Sequence, residues 1–210
     1  MTTRICLIRH GETDWNVTRR IQGQTDIPLN EKGRSQALAM ALKAAPYRFS
    51  AIYSSDLCRA LETATLLAKG RGLEVGTLPS LRERHYGLFQ GITADEGAKI
   101  HPEAYAHYKT RNPDYDFETG ESMVQFTGRV SETIDALTRQ HRGQNFSVVS
   151  HAGVLDIIYR KATGRPLHTP RDFAVPNCAL NWFCFDGQNW HLEAWDDHHY
   201  LAGVLMESAE

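Results

Sequence analysis

Four short strand-like runs, each handing over to a polar turn or a stretch of helical periodicity, constrain this chain more than anything else in it. Ile5 to Ile8 is apolar at every position, which suits a strand covered on both faces. Ala51 to Ser54 and Phe146 to Val149 read the same way, and Leu73 to Leu78 offers a further strand. Asn30 supplies an N-cap for a helix to about Ala45, with Ala37, Leu38, Ala41 and Leu42 at helical spacing before Pro46 ends it. Further helices are predicted from Leu57 to Lys69 with Gly70 as its stop, from Ser122 to His141 on Val130, Ile134 and Leu137, and from Gly153 through Ala162. Phe183 and Phe185, then His191 to Trp195, suggest a closing pair of strands. Alternating strands and helices predict an α/β fold, a three-layer sandwich around a mostly parallel sheet with right-handed crossovers. The stretch from Ala94 to Arg111 is helical but interrupted by Gly97 and Pro102, and is expected to form a small helical cap inserted at about 92–121.

Composition narrows the function classes. With 23 Lys+Arg against 25 Asp+Glu and a net charge of −2, no broad surface for a polyanion is expected, so nucleic acid is not an expected partner. A hydrophobic fraction of 41% over 210 residues suits one self-folding domain spanning 1–210. Cys6, Cys58, Cys178 and Cys184 contain no Cys-x-x-Cys pair, so they read as reduced residues and not as a zinc site or a disulfide framework. No segment approaches the ~18 consecutive apolar residues of a membrane span. A cytoplasmic protein with no membrane partner is the expectation.

In parallel sheets ligands bind beyond the carboxyl ends of the strands. Three polar clusters fall there: Arg9-His10-Gly11, Ser54 to Arg59, and Ser150-His151-Ala152-Gly153. Gly11 would let backbone approach a ligand closely. Arg59 and His151 arrive where helices begin, and free N–H groups at a helix N-terminus favour an anion. Two arginines, two histidines and helix N-termini describe a phosphate site, because the guanidinium fork pairs with phosphate oxygens and keeps its charge. A neutral histidine in such a site can attack phosphorus, splitting one hard displacement into two easier ones. The leaving oxygen then needs a proton donor, and a carboxylic acid can supply one and later activate water.

Leu7 to Asn16 with its Arg9-His10-Gly11-Glu12-Thr13 core resembles the signature of the histidine phosphatase superfamily, which includes the cofactor-dependent phosphoglycerate mutases. The resemblance continues through Gln22 to Asp26, Ser54 to Ala60, Glu62-Thr63-Ala64, Leu81 to Gly87, Gly120-Glu121-Ser122 and Val149 to Gly153. It implies a phosphoglycerate mutase-like fold and a transiently phosphorylated His10. It further implies that Arg9, Arg59 and His151 cradle the phosphoryl group, with Glu83 as acid and base. Asn16, Gln22, Gly23, Tyr86 and Ala152 would contact substrate. No metal and no other cofactor is implied, save a 2,3-bisphosphoglycerate primer if the protein is a mutase. Glu12, Glu62 and Glu121 are rival carboxylates: Glu62 reads as helix-surface charge and Glu12 as a residue holding its loop. Asp196 to His199 invites a metal site, but consecutive strand residues alternate across the sheet and cannot all face one ion. Arg19-Arg20 reads equally as surface charge or as a lip of the anion site.

Hydrolysis and mutation share the first half-reaction and differ in the phosphoryl acceptor. The mutases' grip on a second phosphate resembles a Lys beyond the Glu-Arg-His-Tyr-Gly stretch, an adjacent Arg pair, and Gly-Asn after the second histidine. Here those places hold Ala94, the separated Lys109 and Arg111, and Ala152-Gly153, so a second phosphate is expected to be poorly held. Hydrolysis of a small phosphorylated metabolite is the expected activity, with 2,3-bisphosphoglycerate-dependent phosphoglycerate mutase the runner-up. A non-catalytic phospho-ligand binder is the alternative of another class, and a homodimer is left open.

Overall fold

The computed structural model describes residues 1–203. Its centre is a six-stranded sheet in the order β3-β2-β4-β1-β5-β6, built from β1 (Thr3–Arg9), β2 (Ile52–Ser54), β3 (Val75–Thr77), β4 (Asn145–Ser150), β5 (Leu180–Phe185) and β6 (Trp190–Asp197). The pairings from β3 to β1 are parallel, and β5 and β6 close the far side antiparallel. The helices are α1 (Asp14–Val17), α2 (Glu31–Lys43), α3 (Cys58–Ala68), α4 (Ala94–Ile100), α5 (Pro102–Lys109), α6 (Met123–Gln140) and α7 (Ala152–Thr163).

The apolar run of β1 is buried on both faces for a visible reason. Ile5 and Leu7 pack on one face with Val130 and Ile134 of α6 and Leu155 and Ile158 of α7. Cys6 and Ile8 pack on the other with Ala37 and Met40 of α2 and Ala60 and Ala64 of α3. The predicted sandwich is therefore present, with α6 and α7 on one side and α2 and α3 on the other. All four cysteines are free thiols, Cys6 and Cys178 being buried, and no described helix is long and apolar enough to cross a membrane.

Local signals fixed the helix starts. Asn30 caps α2 by accepting from Gly33 N, and Ser122 opens α6 with a capping box closed by Gln125. Three expectations need correction. The face of α2 that packs carries Gly33, Gln36, Ala37 and Met40, leaving Leu38 49% and Leu42 77% exposed. The third strand is only Val75–Thr77. Gly97 does not interrupt its helix; it lies inside α4, where a Cβ would sit 2.3 Å from the Phe89 ring, and the break falls at His101 before Pro102 opens α5. Ala104 of α5 and Phe117 form a separate small hydrophobic cluster with Phe89.

Candidate active site

Register brings the chemistry together. β1 and β4 run parallel with Arg9 opposite Ser150, and β2 and β4 with Ser54 opposite Val149. The next residues on the first pair, His10 and His151, therefore stand side by side, with ring centroids 5.2 Å apart. Arg59 enters from the first turn of α3 and is wholly buried.

Each side chain is fixed by neighbours. The His10 Nδ1 lies 2.7 Å from the Gly11 carbonyl oxygen; a carbonyl only accepts, so Nδ1 holds the proton and Nε2 keeps its lone pair. Burial, then the charges of Arg59 and Arg9, hold the His10 imidazole well below its ordinary pKa, so it is neutral near pH 7. Burial, then Arg59, does the same for His151. Arg59 spends its two terminal nitrogens on the Thr25 and Gly23 carbonyls, at 2.8 Å each. Arg9 gives one to Val175 O at 2.6 Å; burial lowers its pKa to about 10, which leaves it charged at neutral pH.

Five of the eight buried side-chain polar atoms without a hydrogen-bond partner among the described residues lie here: Arg9 Nε, Gln22 Oε1, Arg59 Nε and both ring nitrogens of His151. Leaving such atoms unpaired costs roughly 1–3 kcal/mol apiece, and a phosphoryl group brings the oxygens that the three donors among them lack: the two arginine Nε–H groups and the one N–H of a neutral His151. Gln22 Oε1 is an acceptor, and the same amide presents its NH2 when turned over.

A cavity of about 300 Å³ is walled by Arg9, His10, Arg59 and Glu83, with Asn16, Gln22, Gly23, Tyr86 and Ala152 also on its surface. Every predicted site residue but one is thus gathered there. His151 is the exception: it is fully buried and meets the site through the His10 ring. The Glu83 carboxylate accepts from Arg84 N at 2.9 Å and from Gly153 N, in the first turn of α7, at 3.0 Å. The rival carboxylates are occupied elsewhere: Glu62 pairs with Arg34, Glu12 with Lys32, and Glu121 with Arg129. The described residues contain no group of three or more His, Cys, Asp or Glu arranged to hold a metal ion.

Sequence reasoning missed several supports. Asn177 donates to the His10 carbonyl at 2.7 Å, and Cys178 N to that of Arg9 at 2.9 Å, so the stretch before β5 fastens the nucleophile's backbone. Arg129 of α6 donates to the Ser80 and Arg82 carbonyls at 2.7 and 3.1 Å and grips Glu121, pinning the segment that carries Glu83. Arg20 reaches Gly91 O and Glu96 and lines the cavity, which resolves the Arg19-Arg20 ambiguity in favour of a lip formed by Arg20. Gly11 does not clear space for a ligand; a Cβ there would lie 2.4 Å from Gly33 O, so its close approach is to the start of α2.

The structure also places the cations that the sequence left scattered. A second cavity of about 410 Å³ shares Glu83, Tyr86, Tyr108 and Ala152 with the first. Its wall carries four cations, Arg84, Lys109, Arg111 and Arg171, and Glu83 as its one carboxylate. Lys109 and Arg111, separated in sequence, line one space, with Arg111 in the left-handed region at a φ of +52°.

The sequence profile of the histidine phosphatase superfamily (branch 1) matches residues 5–198. Two Arabidopsis thaliana proteins, phosphoglycerate mutase-like protein 4 and a metal-independent phosphoserine phosphatase, are each 38% identical to this chain. The alignments cover 94% of this chain and 86% of the first relative, and 96% and 84% for the second. The solved structure of Bacillus stearothermophilus YhfR superposes with a TM-score of 0.87 at 32% identity, covering 95% of this chain and 99% of that one.

Proposed function

The chain belongs to the histidine phosphatase superfamily, branch 1, and on that premise we propose that it hydrolyses a small phosphomonoester by way of a phosphohistidine at His10. The observation that carries this reading is the set of unpartnered buried donors, on Arg9, Arg59 and His151, around a neutral imidazole with a free Nε2. In the first step Nε2 attacks phosphorus as the bond to the ester oxygen breaks. That oxygen takes a proton from Glu83 and leaves as the alcohol. In the second, water gives a proton to the Glu83 carboxylate as its oxygen attacks phosphorus. The N–P bond breaks, inorganic phosphate departs, and Nε2 recovers its lone pair.

Arg9 and Arg59 supply fixed positive charge to the transferring oxygens, a role that a metal ion fills in other phosphoryl-transfer enzymes. A reaction without a metal is further supported by the relative named as metal-independent. His151, neutral in the free site, gains a reason to take a proton when a phosphate dianion arrives beside it. The phosphoserine phosphatase relative and the cationic second cavity together support a substrate that bears a carboxylate.

Four cations on one cavity also favour a second reading, phosphoglycerate mutase, in which they hold the other phosphate of a bisphosphate. Labelled phosphoserine, quenched early, should leave an acid-labile, base-stable adduct that His10→Ala abolishes along with turnover. Turnover that survives His10→Ala would refute the mechanism. With 3-phosphoglycerate, primer-dependent isomerisation faster than phosphate release would favour the mutase.

A further inference from the structure

The second cavity is held in shape by a residue outside it. Asp156 lies on α7 with its side chain only 5% exposed, yet it serves three guanidiniums from three parts of the chain. Its Oδ1 accepts from Arg160 Nε at 3.1 Å and from Arg171 Nε at 3.2 Å, and its Oδ2 from Arg111 Nη2 at 3.3 Å. Arg160 is buried, 2% exposed, and belongs to the frame: it also ties down Pro166 O and Thr169 Oγ1 in the following loop. Arg111 comes from the end of the cap and Arg171 from the loop after α7, and both are on the cavity wall.

One carboxylate therefore anchors two wall cations while remaining off the wall itself. Arg111 has a second anchor in Leu167 O at 3.2 Å, whereas the two terminal nitrogens of Arg171 have no partner among the described residues. Arg84 is fixed by the Glu121 and Tyr115 carbonyls, both at 2.8 Å, with no carboxylate within ion-pair distance among the described residues. Lys109 likewise has no described carboxylate partner. Positive charge thus exceeds negative on this wall, and it is oriented in advance, which lowers the ordering cost of binding an anion. The cavities meet at Glu83 and Tyr86. A substrate whose phosphoryl group occupies the first, with its ester oxygen at Glu83, extends into the second.

We propose that Asp156 is a specificity-positioning residue: it holds Arg111 and Arg171 so that the second cavity receives an anionic group of the substrate, a carboxylate or a second phosphoryl. This deepens the hydrolase reading and rests on it for the placement of the phosphoryl end. Binding is measured in the His10→Ala background, where nothing depends on turnover. The probes are phosphoserine and phosphoethanolamine, which differ only in the carboxylate, with 2,3-bisphosphoglycerate as the phosphoryl arm.

Phosphoserine is expected to bind at least about tenfold tighter than phosphoethanolamine, the scale of one charge-assisted hydrogen bond. Asp156→Asn should bring that ratio close to one. Because Asp156→Asn leaves three guanidiniums unbalanced and could unfold the chain, Arg171→Gln provides a surface change that should lower the ratio in an intact fold. Arg165→Gln, which breaks an exposed pair with Asp172 outside the cavity, should leave it unchanged. If the bisphosphate is the tighter anion, the group received is phosphoryl; if phosphoserine is, it is a carboxylate. Equal binding of all three probes, or a ratio that survives Arg171→Gln and a folded Asp156→Asn, overturns the proposal. Discrimination by the His10→Ala protein with no phosphohistidine on the unaltered chain would refute the hydrolase reading alone and leave the anion seat standing.

Discussion

Gly153→Ala should displace the acid without removing it. A Cβ at 153 would lie 2.1 Å from Glu83 Oε1 and 3.1 Å from its Cδ, while real Cβ contacts essentially never fall below 3.0 Å. The carboxylate must therefore retreat by about 0.9 Å, the difference between those values. The ring of Phe126, 3.0 Å from the same Cβ position, limits movement of the methyl instead. A misplacement of about 1 Å costs roughly a hundredfold in rate, or about 2.7 kcal/mol of barrier, within the range of about 10² to 10⁴ for losing a general acid outright. The assay is kcat/KM, which ends with departure of the alcohol and so reports the protonation step alone. With an alkyl phosphate, whose alkoxide must be protonated, the loss should be about a hundredfold. With p-nitrophenyl phosphate, whose phenolate leaves unaided, it should be several times smaller. Equal losses on both substrates, or an alkyl phosphate hydrolysed as before, would refute the assignment of Glu83 as the proton donor held by Gly153. Thermal stability should change little, since Gly→Ala inside a helix gains about 1 kcal/mol against the local crowding.

Burial keeps His10 and His151 from protonating in the native state, while the unfolded chain takes up those protons below about pH 6.5. Native pKa values lie below unfolded ones, so their contribution is flat above pH 6.5 and stability falls as pH drops beneath it. Urea midpoints at pH 7 and 5 should show His151→Asn losing less than the unaltered chain; equal losses would contradict neutral burial. Inorganic phosphate should shrink the difference. Arg129→Met should cost about 2 kcal/mol and lower kcat, because the Glu83 segment and Glu121 lose their clamp; a normal kcat in the folded variant would show that the clamp does not position Glu83. Activity should persist in excess EDTA, and its loss would implicate a metal.

What was legible in the sequence was local or carried by ordered motifs. Asn30 announced a helix start because a cap acts within three residues, the spacing of Val130, Ile134 and Leu137 announced a long helix, and the all-apolar Ile5 to Ile8 announced a doubly covered strand. The face of α2 was misjudged because Leu38 and Leu42 satisfy helical spacing as well as Ala37 and Met40 do. The smaller Gly33 and Ala37 allow the closer approach on the side that packs, and no periodicity encodes that. Asn177, Arg129 and Asp156 were silent for another reason. Their partners lie 167, 8 to 49, and 4 to 45 residues away, and most of those contacts exist only once the loops are placed. The same distance hid the second cavity, whose cations look scattered until Arg111 and Arg171 converge on Asp156.

The central position of β1 has a consequence for the chain during synthesis. β1 precedes every other strand, yet its sheet neighbours are β4, 141 residues later in register, and β5, 172 to 182 residues later. While the ribosome makes the intervening segments, the apolar run from Ile5 to Ile8 has neither partner, and His10 has neither His151 nor Asn177 beside it. Contacts so distant are slow to close, and an unpaired apolar strand is an aggregation hazard while it waits. A nascent chain halted before residue 180 would therefore lack β5, be inactive and depend on chaperones, and phosphatase activity would report completion of the fold and not only its chemistry.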